Sequence, residues 1–500
     1  MAAGRRVTPS KKRTKIPIHV AEQNLKEKTA KGLLWGTISN GGQQVLNLVF
    51  GIALARTLSA ADYGMVGMLS IFSLIAASLQ ESGFTSALNR KQQTTQADYN
   101  AVFWFNILCS TSIYIVLFFC APLIAAWFRR PELTPLARFC FLSFVLSSLG
   151  TTPRAYLFRH LQVKQTAWIT LTALTVSGVT GVTLAWTGFA YWGIAVQNLT
   201  YCAMMSLLSW YVSGWRPSLR VDLRPLRGMI GFSSRLLLTN VFNHINNNIF
   251  SIFFGRLYGD RMVGYYNQAN KWTYMGHSLL SNTLWGVTQP VFARLVGDRE
   301  REWRAFRKML RFTAFTSFPV LFGIALVAPE FITILITDKW LPSAEFMQLL
   351  CVGGAFIPVA SLYSNFLISQ GRSNVFMWNT IGLCLLQLAA LLALYPFGAR
   401  VMVTVYVILG VLWIPVWHVF VQRLIGLTLW QALCDMLPFM AAAAVSMLAA
   451  YAVSGLFENI YAVFAVKIAV AAAVYVALMA AGRVVVFREC VDFLLRRRSE

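Results

Sequence analysis

Apolar stretches and short polar connections alternate along almost the whole chain. A helix of about 20 residues crosses the ~30 Å hydrocarbon core of a bilayer. Stretches of that order lie near 33–55, 62–83, 101–127, 136–153, 166–187, 190–213, 230–255, 262–292, 311–329, 345–368, 376–397, 400–421, 433–455 and 460–482. Backbone amides find no partner in hydrocarbon, so each stretch must satisfy its own as a helix. The pattern predicts an all-α polytopic membrane protein with about 14 transmembrane helices. The first, second, seventh and eighth are the weakest by hydropathy, because polar residues interrupt them.

Those interruptions are ordered. Asn40, Gln43, Gln44 and Asn47 follow the spacing i, i+3, i+4, i+7, and Asn240, Asn243, His244 and Asn247 repeat it 200 residues later. Such positions share one helix face. The same offset pairs Arg56 with Arg256 and Gly64 with Gly264. Around the fourth and tenth spans the offset becomes 211, aligning Pro131 to Cys140 with Pro342 to Cys351. The chain therefore reads as a basic tail (1–30), a six-helix lobe (31–213), a linker (214–229) and a second six-helix lobe (230–421). Two extra helices (422–482) and a second basic tail (483–500) follow. Six is even, so both halves enter the membrane in the same direction, and a substrate site is expected between them.

The eighth span carries a second polar face: Asn267, Asn270 with Lys271, Tyr274, His277 with Ser278, and Ser281 with Asn282. Over about four turns this stripe runs roughly 20 Å. Asparagines can hydrogen-bond between helices in a dry seam, but stripes this long on two helices favour a hydrated cavity. Lys271 has no acidic residue among its helical neighbours, which makes it a functional candidate; the alternative is a side chain snorkelling to the interface. His244 and Glu81 are the candidates for coupling to an ion, Na+ or H+. Arg56 and Arg256 follow the two leading helices on the outer side, as anchors or as a cap on the cavity, with anchors the favoured reading.

Charge sets the orientation. The 43 Lys+Arg outnumber 19 Asp+Glu, but they alternate between loops rather than forming one patch, which excludes nucleic acid as the partner. A cytoplasmic N-terminus leaves the outer side with eight: Arg56, Arg129, Arg130, Arg138, Arg256, Arg261, Lys339 and Arg400. Both termini are then cytoplasmic, and the basic loops meet anionic lipid headgroups. Nothing resembles a cleavable signal peptide. The eight cysteines have no metal-ligand spacing, so no metal is expected. No catalytic motif or phosphate-binding loop occurs, so neither an enzyme nor a cofactor is expected. No connection is long enough for the loop-borne active site of a glycan polymerase or ligase.

The opening Lys31-Gly-Leu-Leu-Trp-Gly-Thr-Ile-Ser-Asn40 resembles polysaccharide transporters of the Wzx type, in the multidrug/oligosaccharidyl-lipid/polysaccharide exporter superfamily. The turn Ala55-Arg-Thr-Leu-Ser-Ala-Ala-Asp-Tyr-Gly64 and the later Gly255-Arg-Leu-Tyr-Gly-Asp-Arg-Met-Val-Gly264 strengthen the likeness, which is most like the colanic-acid-exporter branch. The resemblance implies a V-shaped two-lobe fold in a bacterial inner membrane, working by alternating access. Its cargo would be oligosaccharide repeat units on undecaprenyl pyrophosphate, flipped to the periplasmic leaflet for exopolysaccharide or lipopolysaccharide synthesis. A polysaccharide polymerase and chain-length machinery would be partners. Lys271 and Arg256 are the candidates for holding pyrophosphate. The alternative is a cation-coupled drug antiporter of the same superfamily, but that function usually wants a buried acid, and the spans offer little beyond Glu81.

Overall fold

The computed structural model of the protein describes residues 18–81, 94–160, 162–218, 222, 244 and 248–496. Among these residues there are helices and no strands. The first half comprises α1 (Ile18–Thr57), α2 (Ala60–Glu81), α3 (Gln96–Phe128), α4 (Leu133–Arg159), α5 (Val163–Trp186) and α6 (Tyr191–Ser213). The second begins with α7 (Asn248–Leu257), α8 (Asp260–Leu295) and α9 (Arg299–Leu326). It continues with α10 (Ala328–Ile336), α11 (Leu341–Gly354), α12 (Ile357–Ser369), α13 (Ser373–Leu394), α14 (Ala399–Leu412) and α15 (Ile414–Ile425). Then come α16 (Leu429–Ser454), α17 (Ile460–Ala481) and α18 (Val485–Arg496). Nine helical segments among the described residues are long and apolar enough to cross a membrane, so the chain is a multi-pass membrane protein. Of the other five expected spans, four fall on α1, α2, α6 and α8, and the fifth, 230–255, meets α7 only at its end, since 230–243 and 245–247 lie outside the described residues.

Three expected spans are broken rather than continuous. The helix through 311–329 ends at Leu326 and restarts as α10; that through 345–368 restarts at Ile357, and that through 400–421 at Ile414. A proline stands in the first turn after each break: Pro329, Pro358 and Pro415. Proline lacks the N–H that would bond back to residue i−4, so each restart costs the ladder little. Pro122, Pro153, Pro319 and Pro438, by contrast, lie inside uninterrupted helices. Two further differences concern the tails. The first helix already begins at Ile18, and most of the C-terminal tail forms α18, with Lys308 bridging to Glu489 at 2.8 Å.

Within the first lobe α5 and α6 pack together, α4 lies against α3 and α6, and α1 lies along α5. In the second, α8 is central, contacting α9, α11 and α12. The two helices outside the repeat pack on each other, with α16 on α9 and α17 against α10. An ion triad around a buried carboxylate secures the first attachment: Arg307 and Arg311 both reach Asp435 at 2.6 Å, and Asp435 is 3% exposed. Across the lobes the principal contact is α2 on α8.

The start of the interlobe linker is moored to the first lobe. Trp215 donates from Nε1 to Gln96 Oε1 at 3.0 Å, and Gln96 Nε2 donates to the Arg216 carbonyl at 2.9 Å. Trp104 Nε1 donates to the Ser218 carbonyl at 2.9 Å. A cluster of Tyr99, Phe103 and Trp215 sits beneath.

Candidate functional site

The turn after each leading helix can be read residue by residue. Ser59 and Asp62 cap α2 reciprocally: the Ser59 amide donates to Asp62 Oδ2 at 2.9 Å, and the Asp62 amide donates to Ser59 Oγ at 3.3 Å. Gly64 then allows close approach. A Cβ there would collide with the Asp260 carbonyl oxygen, and a Cβ at Gly264 would collide with that of Ala60. Ala60 and Asp260 differ by the same 200 residues as the two glycines. Contact of this reciprocal kind is what a two-fold axis produces, so α2 and α8 cross on the axis of the repeat.

The arginines use the same symmetry. Arg56 donates from Nε to the Leu335 carbonyl at 2.7 Å and from Nη2 to that of Ile334 at 2.9 Å, in the last turn of α10. Arg256 donates to the Trp127 carbonyl at 2.8 Å, in the last turn of α3, and covers the Trp127 ring. Each arginine thus satisfies orphan carbonyls at the negative end of a helix in the opposite half. They are not mere interfacial anchors. Lys339 donates to the Arg56 carbonyl at 2.7 Å, Trp340 Nε1 to that of Ala55 at 2.8 Å, and Arg130 pairs with Asp260 at 2.8 Å. The lobes are therefore latched at one end.

Below the latch, two adjoining hollows lie between the halves. The larger, about 770 Å³, is lined by Asn40, Gln44 and Leu48 of α1, by Trp272, Met275 and Asn282 of α8, and by Ile324, Val327, Phe331 and Met347. The smaller, about 400 Å³, is lined by Gln44 and Asn47, Ser70 of α2, Asn248, and Asn267, Asn270, Lys271 and Tyr274 of α8. Gln44 and Met275 belong to both. One side is amide-rich and the other apolar. Lys271 lies against α1, where a Cβ built at Gly51 would stand 2.5 Å from its Nζ. Its ammonium is also 5.5 Å from the Trp272 ring centroid. Among the described residues no carboxylate lines either hollow.

The sequence-predicted residues divide as follows. Asn40, Gln44, Asn47, Asn267, Asn270, Lys271, Tyr274 and Asn282 come together around the hollows. Asn267 is held by Ser251, whose Oγ donates to Oδ1 at 3.0 Å. Gln43 instead donates to Ser39 at 3.0 Å within α1. His277 stacks edge-on to Tyr274, with ring centroids 5.3 Å apart, and does not line either hollow. The His244 carbonyl accepts from Asn248 Nδ2 at 3.0 Å. Asn240, Asn243 and Asn247 lie outside the described residues, as does the side chain of Glu81 at the end of α2. Arg256 belongs to the latch. Asn248 and Ser70 are additions; Asn248 falls one residue beyond the repeated stripe, and Ser70 lines the same hollow as Asn270, which lies 200 residues later in the sequence.

The solved lipid II flippase MurJ, in an inward closed conformation, superposes with TM-score 0.75 at 14% identity, over 92% of this chain and 100% of that one. An inward-facing multidrug resistance transporter of the MATE family matches at TM-score 0.59 and 16% identity, over 81% of this chain and 95% of that one. The chain therefore shares the fold of these two proteins. Among curated relatives, the lipopolysaccharide biosynthesis protein WzxC of Escherichia coli K12 is 24% identical over 358 residues, 70% of this chain and 72% of its own. Teichuronic acid biosynthesis protein TuaB of Bacillus subtilis is 25% identical over 76% of this chain and 79% of its own. The succinoglycan biosynthesis transport protein ExoT of Rhizobium meliloti is 25% identical over 69% of this chain and 70% of its own. The family model described as "Polysaccharide biosynthesis protein" matches residues 53–345, more than half the chain and both copies of the latch turn, and the chain belongs to that family.

Proposed function

We propose that this protein flips a lipid-linked oligosaccharide, a repeat unit on undecaprenyl pyrophosphate, from the cytoplasmic to the periplasmic leaflet of a bacterial inner membrane. The observation that carries this reading is the amide-lined hollow between the two halves, with Lys271 as the charged group on its wall. Sugars and pyrophosphate cannot enter hydrocarbon without losing water contacts at high cost. Amides and the Tyr274 hydroxyl offer donors and acceptors in their place, and an ammonium in a low-dielectric site attracts pyrophosphate strongly. The polyprenyl tail needs no such shelter and stays in lipid.

In this reading both termini are cytoplasmic, the latched end is periplasmic, and the halves rock to expose the hollow to each side in turn. The chain works as a transporter rather than an enzyme and uses no cofactor. Na+ or H+ supplies the coupling, and the unit delivered feeds a polymerase and its chain-length partners. A drug antiporter is disfavoured by the sign of the charge on the wall, which is that of the Lys271 ammonium. Depletion tests the proposal. Lipid-linked repeat units should then accumulate with their sugars shielded from a membrane-impermeant glycosidase added to spheroplasts. Accumulation with sugars accessible from outside would overturn it.

A further inference from the structure

Lys467 is the one charged residue of α17, and it is 5% exposed. Its ammonium reaches Glu330 Oε1 at 2.7 Å and the Leu326 carbonyl at 3.3 Å. Leu326 is the last residue of α9 and Glu330 lies in the first turn of α10, so one side chain spans the break between them. Ile324, Val327 and Phe331 on the other side of the same break line the larger hollow. A residue outside the repeat thus grips, from behind, the segment that forms the cavity wall.

Stability alone does not account for the pair. Two charges buried in an apolar bundle pay a desolvation cost that their attraction offsets only with full hydrogen bonding. Here Glu330 Oε2 is buried and has no partner among the described residues. Apolar side chains of similar volume would fill the site at equal or better stability. What they would not supply is the directional hold on Leu326 and Glu330 across a break opened by Pro329.

We propose that the Glu330–Lys467 pair is a positioning element for transport, fixing the α9–α10 break and so placing Val327 and Phe331 in the cavity wall. α17, outside the repeat, then bears on the site through this pair. The inference rests on the reading of the hollow as the transport cavity. Four changes in the full-length protein test it: Glu330→Gln, Lys467→Met, Glu330→Leu with Lys467→Leu, and the reciprocal Glu330→Lys with Lys467→Glu. Surface glycan, membrane abundance and thermal stability are measured for each. Each single change should cut export on the order of tenfold, and the reciprocal exchange should restore most of it. The apolar double variant should keep its abundance and melting temperature yet export poorly. Normal export by that variant overturns the positioning role. If it fails to reach the membrane, the reciprocal exchange decides: restored export supports the pair, and lost export at normal abundance overturns it. Thiol labelling of Val327→Cys with the pair intact tests the cavity separately, since failure to label in any state would sink that reading and leave the dependence of export on the pair standing.

Discussion

Gly64 and Gly264 each lie against the first residue of the other's helix, so the close crossing of α2 and α8 is the same contact made twice. Neither opposing atom is a side chain that could swing away; both are backbone carbonyls. Gly64→Ala and Gly264→Ala should therefore be equivalent, each destabilising by about 1–3 kcal/mol through overpacking. Melting of the purified variants in detergent checks this. A large effect from one and none from the other would contradict the two-fold relation.

The latch should control which side of the protein is open. Removing Arg56 deletes two charge-assisted hydrogen bonds to α10, each worth about 1.5–3 kcal/mol. Arg56→Ala should shift the population toward the state open at the latched end by on the order of tenfold or more. Arg256→Ala should do so more weakly, having one such bond. Accessibility of Ala55→Cys to an impermeant thiol reagent, in a cysteine-free background, reads the shift. Unchanged labelling in both variants would show that the arginines do not latch.

Lys271 is expected to be essential to export and dispensable to folding. Lys271→Ala should abolish surface glycan while membrane abundance stays normal, and Lys271→Arg should retain part of the activity, because the positive charge remains but its geometry changes. Normal export by Lys271→Ala would remove the lysine from substrate contact.

Asp435 has a structural part to play. Asp435→Asn leaves Arg307 and Arg311 without their carboxylate, and breaking such a partly buried set costs about 3 kcal/mol. The Arg311 side chain, 42% exposed, recovers some of that in water. The variant should melt earlier, yet transport at permissive temperature in proportion to its abundance. Its activity per molecule is the measurement that decides.

Much of this was legible in the chain because a period of 3.6 and an offset of 200 are both visible in one dimension. The polar stripes of α1 and α8 carry the residues that line the hollows, Lys271 among them. Other parts depended on distance in space. Nothing local marks Arg256 as a cap on α3, since Trp127 lies 129 residues away. Glu330 reads as a helix-start acid and Lys467 as an isolated charge until folding brings them 2.7 Å apart. A proline follows each of the breaks near Pro329, Pro358 and Pro415, but Pro122, Pro153, Pro319 and Pro438 lie inside unbroken helices, so residue type alone does not mark a break.

The duplication has kept its two-fold match in some places and lost it in others. Crossing glycines and capping arginines match, whereas the positions paired with Asn267, Asn270, Lys271 and Tyr274 are Gly67, Ser70, Ile71 and Leu74. Mechanical parts must work alike from both sides; a grip on cargo need not. A headgroup held by α8 would be a passenger of the second lobe throughout the stroke, while the first lobe slides past it. Loading would then have a fixed handedness, with the tail leaving the bundle by one flank rather than by either.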